Sequence, residues 1–270
     1  MYKQKWPAAE PKAAVVLVHG TGEHHGRYEH VVRYLNERGW DVYTGDLPGC
    51  GRSPGKRGHI ESFSQYIDTV HQWITEAWEQ SDGRPVFLMG HSLGGLIVTR
   101  YAQTQTSAKK LSGLILTSPC MELTIQVPAW KERLAKLLDR IWPTLALPNG
   151  ITPDMVSRDQ EVQNQYKQDP LNYHKVSVRW FEELHRAMKQ AWEEADQIGV
   201  PMLILQAGDD QLVNAQAVER FAACIEADKE FHMYPHLRHE ILNEPEKWQV
   251  LERIVHWMEQ KGSETQNVTY

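Results

Sequence analysis

The chain has 270 residues, 41% hydrophobic and 24% charged, with a formal net charge of −6. This composition suits a globular protein with a sizeable core in one large or two small domains, and it offers no basic surface for nucleic acid. Three cysteines, Cys50, Cys120 and Cys224, are odd in number and lack Cys/His ligand spacing, so neither a disulfide framework nor a zinc site is indicated.

The amino terminus, "MYKQKWPAAEPKAAVVLVHG", shows no secretory apolar region, and no segment reaches the ~18 consecutive apolar residues of a membrane span. A cytoplasmic location is the expectation. Along the chain, six short runs rich in Val, Ile and Leu read as buried parallel strands: 13–18, 41–45, 85–90, 111–118, 201–208 and 230–234. Between them, Tyr28 to Arg38 and Glu61 to Trp78 carry apolar residues on one helical face. Ser62 with Gln65, and Asn243 with Glu246, have the spacing of helix N-caps. The alternation of strand and helix predicts a mostly parallel, doubly wound α/β sheet.

That alternation stops between about Cys120 and Val200. The stretch carries Trp130, Leu134, Leu137, Leu138 and Ile141 at helical spacing, then a polar segment, then "VSVRWFEELHRAMKQAW". It reads as a helical cap inserted in the sheet, giving residues 1–119 as the first part of the core, 120–199 as the cap and 200–270 as the second part.

"FLMGHSLGGLIV", residues 87–98, contains a G-x-S-x-G pentapeptide between a predicted strand and a predicted helix. This is the context of a nucleophile elbow, where a sharp turn holds the serine in strained backbone and leaves no room for side chains two residues either side. The helix that follows points its free first-turn amides at the serine, which makes the Leu93 N–H a candidate oxyanion donor. A serine needs a base, and the base needs an orienting acid. Asp209 and Asp210 follow one predicted strand, and His236 and His239 follow the last, with His232 inside it. Loop position favours His239. The second oxyanion donor is expected in the glycine loop after the first strand, at the Thr21 N–H. His19, His24, His25 and His30 crowd that region without metal-ligand spacing, and neither a metal nor a cofactor is expected. The loop "DLPGCGRSPGKRGHI" carries Arg52, Lys56 and Arg57 but matches no phosphate-binding pattern, and it reads as a solvated loop over the sheet edge.

"HGTGEHHGRY", "DLPGCGRSPGKRGHIESF", "GHSLGGL", "LTSPC", "LILQAGDDQLV" and "HEILNEPE", taken in this order, resemble the monoacylglycerol lipase and lysophospholipase branch of the α/β-hydrolases, also called serine aminopeptidase-like hydrolases. "KVSVRWFEEL" is similar to bacterial members described as phospholipases. The resemblance implies Ser92 as nucleophile, Asp210 and His239 as its partners, and the Thr21 and Leu93 amides as the oxyanion hole. It implies a small acyl ester as substrate, with a transient membrane-surface contact through the cap as a further expectation. Monoacylglycerol-like esters lead, with lysophospholipids, simple carboxyl esters and a catalytically silent binding protein as alternatives. The antiparallel strands that usually open this fold are reduced to roughly "YKQKW".

Overall fold

A computed structural model describes residues 1–125 and 128–268. The first half comprises β1 (Lys3–Trp6), β2 (Ala13–Val18), α1 (Glu29–Asn36), β3 (Trp40–Gly45), α2 (Ser64–Ser81), β4 (Val86–His91), α3 (Leu93–Thr104) and β5 (Gly113–Thr117). Then come α4 (Ala129–Ile141), β6 (Ala146–Pro148), α5 (Pro153–Val156), α6 (Gln160–Gln168), β7 (Lys175–Ser177) and α7 (Val178–Glu193). The chain continues through β8 (Met202–Ala207), α8 (Ala215–Cys224), β9 (Lys229–Tyr234) and α9 (Lys247–Val268).

Seven strands form one sheet in the order β1-β3-β2-β4-β5-β8-β9, parallel throughout except where β1 runs antiparallel to β3. The central strands are apolar on both faces because both are covered. Val15, Leu17, Ile115 and Leu203 face α1 and α9, whereas Val16, Val18, Leu114 and Ile204 face α2, α3 and α8. The period-two alternation of side chains divides each strand between these two layers.

Helix starts differ from expectation. The Ser62 to Gln65 box is partly formed: Gln65 Oε1 accepts from Glu61 N at 2.7 Å, and Ser62 Oγ accepts from Ser64 N at 3.3 Å. Helix α2 begins at Ser64, and its leading Phe63 amide is capped by Glu183 from α7 at 2.8 Å. Asn243 caps no helix; its Nδ2 donates to Glu240 at 2.9 Å, and α9 starts later, at Lys247. A local bond three residues back takes the side chain in place of the cap there.

Residues 120–199 are mainly helical but also pair β6 with β7, an antiparallel ribbon absent from the sequence reading. Three strand residues a side are too short to show a period. The second half of the segment is fastened to the loops around the sheet: Tyr173 N donates to Gly22 O and Ser177 N to Gly58 O, both at 2.8 Å. Both glycines have positive φ, and a Cβ there would stand 2.4 Å from Tyr173 O and 2.2 Å from Lys175 O. Trp180, Leu184, Met188 and Ala191 of α7 join the core. Helix α4 behaves differently, leaving Leu134, Leu137 and Ile141 exposed, the last at 72%. Among the described residues, no helix is long and apolar enough to cross a membrane.

Candidate active site

All of the sequence-selected residues follow the carboxyl ends of parallel strands: Thr21 after β2, Ser92 after β4, Asp210 after β8 and His239 after β9. This is the edge where open α/β sheets build their sites. Ser92 has φ 52° and ψ −115°, in a region that non-glycine residues rarely occupy. Its backbone is pinned by Ser92 N to Thr117 O at 3.0 Å, and Ser92 O accepts from both Leu96 N and Cys120 N. The flanking glycines are sterically required. A Cβ on Gly90 would lie 2.3 Å from Gly94 O, and one on Gly94 would lie 2.2 Å from Val18 O.

Asp210 is fixed through both oxygens. Oδ1 accepts from Leu212 N and Val213 N, each at 2.9 Å, while Oδ2 accepts from His239 Nδ1 at 2.8 Å and Gln206 Nε2 at 3.1 Å. With Nδ1–H donated to Asp210, His239 keeps Nε2 free to act as a base. Burial alone would raise the Asp210 carboxyl, but the charge of His239 and these hydrogen bonds hold it below its ordinary value. Burial would lower His239, yet Asp210, then Glu240 and Glu23, raise it above the ordinary imidazole value. His91 packs its ring 4.9 Å from that of His239; burial, reinforced by the charge of His239, pushes it down to about 4.

The alternatives separate clearly. Asp209 is largely exposed and lies 3.7 Å from Arg238, His236 is exposed, and His232 sits on β9 with its ring 4.5 Å from that of Tyr234. Among the described residues, the side-chain hydrogen bonds of Asp210 go to His239, Gln206, Leu212 and Val213, not to any of these three.

The loop after β2 is held by its own polar groups. His19 Nδ1 donates to Gly20 O at 2.8 Å while Nε2 accepts from Leu47 N at 3.0 Å, and Gly20 N donates to Glu23 Oε1 at 2.6 Å. With the Gly20 amide engaged, Thr21 is the residue of this loop that lines the larger of two cavities at the site. Leu93 is the first residue of α3, so its N–H has no intrahelical acceptor. His24, His25 and Asp46 offer ligand atoms within 4.8 Å of one another, but each is already hydrogen-bonded. His24 Nε2 meets Asp169 and His25 Nδ1 meets Asp46, both at 2.7 Å. Arg57, in the loop read as solvated, instead donates to the Gly51 and Leu171 carbonyls.

Thr21, Ser92 and His239 line a cavity of about 240 Å³ whose other walls are mainly apolar, including Leu123, Ile125, Val176, Trp180 and Phe181. A smaller cavity of about 20 Å³ shares the same three residues but is bordered by Glu23, His91, Tyr166 and Glu240. Sequence reasoning missed the Glu23, Arg27 and Glu240 cluster beside it. The four-residue spacing of Glu23 and Arg27 was visible, but their meeting with Glu240 depends on the fold.

Comparison with known proteins places this architecture. The Hydrolase_4 family model, described as serine aminopeptidase S33, matches residues 9–246. The chain is 38% identical to phospholipase YtpA of Bacillus subtilis over 90% of this chain and 93% of that protein. It is 32% identical to the monoacylglycerol lipase of Mycolicibacterium smegmatis, over 93% and 90% respectively. The crystal structure of Paleococcus ferrophilus monoacylglycerol lipase superimposes with a TM-score of 0.87 at 34% identity, covering 97% of this chain and all of that one. With its mostly parallel sheet, flanking helices and serine elbow, the chain belongs to the Hydrolase_4 (serine aminopeptidase S33) family of α/β-hydrolases.

Proposed function

We propose that the chain is a cofactor-independent serine hydrolase that cleaves the carboxyl ester of single-chain lipids of the monoacylglycerol type. His239 Nε2 takes the proton of Ser92, whose Oγ attacks the ester carbonyl, and the Thr21 and Leu93 amides stabilise the oxyanion. His239 then protonates the departing alcohol and activates the water that frees the acid. The observation that carries this reading is the His239–Asp210 hydrogen bond beside a serine held at positive φ.

The two cavities support the substrate class. The larger suits an acyl chain, each buried methylene contributing ~0.8 kcal/mol. The smaller, with carboxylates and a tyrosine on its border, has room for about one water-sized group and suits a single hydroxyl of the alcohol. Residues 120–199 act as a cap between two core segments, 1–119 and 200–270. Ile125 lines the larger cavity and is also exposed, so apolar surface runs from the outside into the cavity mouth. Leu137, Ile141 and Trp142 are exposed as well, and such apolar surface is suited to transient contact with a lipid surface. A phospholipase or lysophospholipase is the second reading, favoured by the relative of that name.

Turnover of monoacylglycerol, lysophosphatidylcholine and short nitrophenyl esters by the native chain and its Ser92→Ala variant tests the proposal. Ser92-dependent cleavage with monoacylglycerol preferred is expected; turnover that survives Ser92→Ala would sink it. Fluorophosphonate labelling of Ser92 is expected as well, and a binding protein without catalysis would remain unlabelled.

A further inference from the structure

Arg27 sits in the turn between β2 and α1 with only 8% of its side chain exposed. Its Nη1 donates to Glu23 Oε2 at 2.9 Å and to Glu240 Oε1 at 2.5 Å, while Nη2 donates to Glu240 Oε2 at 2.8 Å. Glu23 in turn accepts from Gly20 N and from the Tyr28 hydroxyl, both at 2.6 Å through Oε1. An unbroken series of hydrogen bonds therefore runs from the Gly20 amide through Glu23 and Arg27 to Glu240. Gly20 immediately precedes Thr21, and Glu240 immediately follows His239.

We propose that Arg27 is a positioning residue for ester hydrolysis. Its guanidinium ties the loop that presents the Thr21 amide to the loop that presents His239, and its positive charge offsets part of the negative charge of the two carboxylates buried behind them. The inference rests on the Ser92–His239–Asp210 reading and extends it to a residue that need not touch the substrate.

Placement and charge both call for a guanidinium here. Oxyanion stabilisation and proton transfer each require placement to a fraction of an ångström, and the two loops come from opposite ends of the sequence, 213 residues apart at Arg27 and Glu240. A bidentate guanidinium is the side chain best able to hold such a separation, because its fork geometry is rigid. A negative oxyanion forming beside two uncompensated buried carboxylates would be opposed by both in a region of low dielectric. Arg27, with its single positive charge against their two negative ones, reduces that opposition. Burial would raise the Glu23 carboxyl, but Arg27, with His91 and His19, brings it down to about 2, so it stays ionised and keeps its grip on Gly20.

The groups that face His239 are Asp210 on its Nδ1, the His91 ring, and the Glu240 and Glu23 carboxylates, the last two sharing the one positive charge of Arg27. Replacing Arg27 with a neutral residue leaves those carboxylates to favour the imidazolium, and His239 must then lose its proton at higher pH. A salt bridge of purely structural value would not move that titration.

The test is kcat and KM for an ester substrate between pH 5 and 9, on the full chain and on Arg27→Lys, Arg27→Gln and Arg27→Gln/Glu240→Gln. For Arg27→Gln, kcat should fall about 100-fold with KM little changed, and the acidic limb should move to higher pH. The double variant should bring the limb back toward the native position while kcat stays low. Arg27→Lys should keep the native limb and lose part of kcat, because charge is retained and the fork is not. Native kcat in Arg27→Gln, or a loss of kcat with an unmoved limb, overturns the proposal. If Arg27→Gln does not fold, native kcat in Arg27→Lys overturns it alone. Ester turnover that does not depend on Ser92 overturns the underlying hydrolase reading too, whereas Ser92-dependent turnover that is indifferent to Arg27 overturns only this inference.

Discussion

His239 Nδ1 and Asp210 Oδ2 lie 2.8 Å apart, with the two side chains 5% and 0% exposed. Little water competes for this hydrogen bond, and its partner carboxylate is anchored by two backbone amides. Asp210→Asn keeps the shape but removes the charge that favours the imidazolium, and it permits the wrong tautomer. It should lower kcat by about 10⁴-fold and shift the acidic limb of kcat/KM to lower pH. Asp209→Asn, one residue away but exposed, should remain within about twofold of native activity. Steady-state kinetics across pH on both variants check this.

The backbone of Ser92 implies a conflict between function and stability. Holding a non-glycine residue at φ 52° and ψ −115° costs about 1–3 kcal/mol. Ser92→Gly relieves that strain and should raise the midpoint of thermal unfolding while abolishing ester turnover. Gly90→Ala should do the reverse of a benign change: its Cβ would lie 2.3 Å from a backbone carbonyl, so the expected outcome is loss of stability by more than about 3 kcal/mol. Calorimetry of the two variants separates strain relief from steric overlap.

Acid should weaken the fold well above the ordinary carboxylate range. His91 is depressed to about 4 by burial and by the charge of His239, so the unfolded chain binds a proton near pH 6.5 that the folded chain refuses. The stability contributed by neutral His91 is complete above pH 6.5 and is lost as pH falls toward 4. Glu23, depressed to about 2 from 4.5, extends the same loss to lower pH. Chemical denaturation between pH 7 and 4 should show a shallower decline for His91→Gln than for the native chain, and equal slopes would refute this origin.

The exposed face of α4 gives a prediction about where the substrate is collected. Leu137→Glu combined with Ile141→Glu should weaken adsorption to neutral lipid vesicles and slow cleavage of vesicle-borne monoacylglycerol. Turnover of a water-soluble nitrophenyl butyrate should stay close to native. Vesicle co-sedimentation and parallel assays check both parts; equal losses on the two substrates would point to a damaged fold instead.

The long apolar runs made the sheet legible in the sequence, since 13–18 and 201–208 have no other way to bury every residue. The sequence order of Ser92, Asp210 and His239 was readable for a related reason: each follows a strand whose end was visible. Less accessible were β6 and β7, too short for periodicity, and the true start of α9, where Asn243 serves Glu240 instead of the helix. Helix α4 shows the limit of amphipathic patterning. Its apolar stripe was plain, but the sequence does not say whether such a stripe meets a core or water, and here Ile141 meets water. The Glu23–Arg27–Glu240 cluster was hidden because its members belong to opposite ends of the chain and meet only after the sheet has formed.

Gly22 and Gly58 have a consequence for how this fold can be recombined. Each lies on a core loop, yet the absence of its side chain is demanded by a carbonyl from residues 173–175. The middle segment is thus not a freely exchangeable module: its seating is written partly into the surrounding core. A chimaera that receives residues 120–199 from a relative should assemble only when both loops already provide those clearances, and one that receives the segment onto an alanine at either position should fail at the seam.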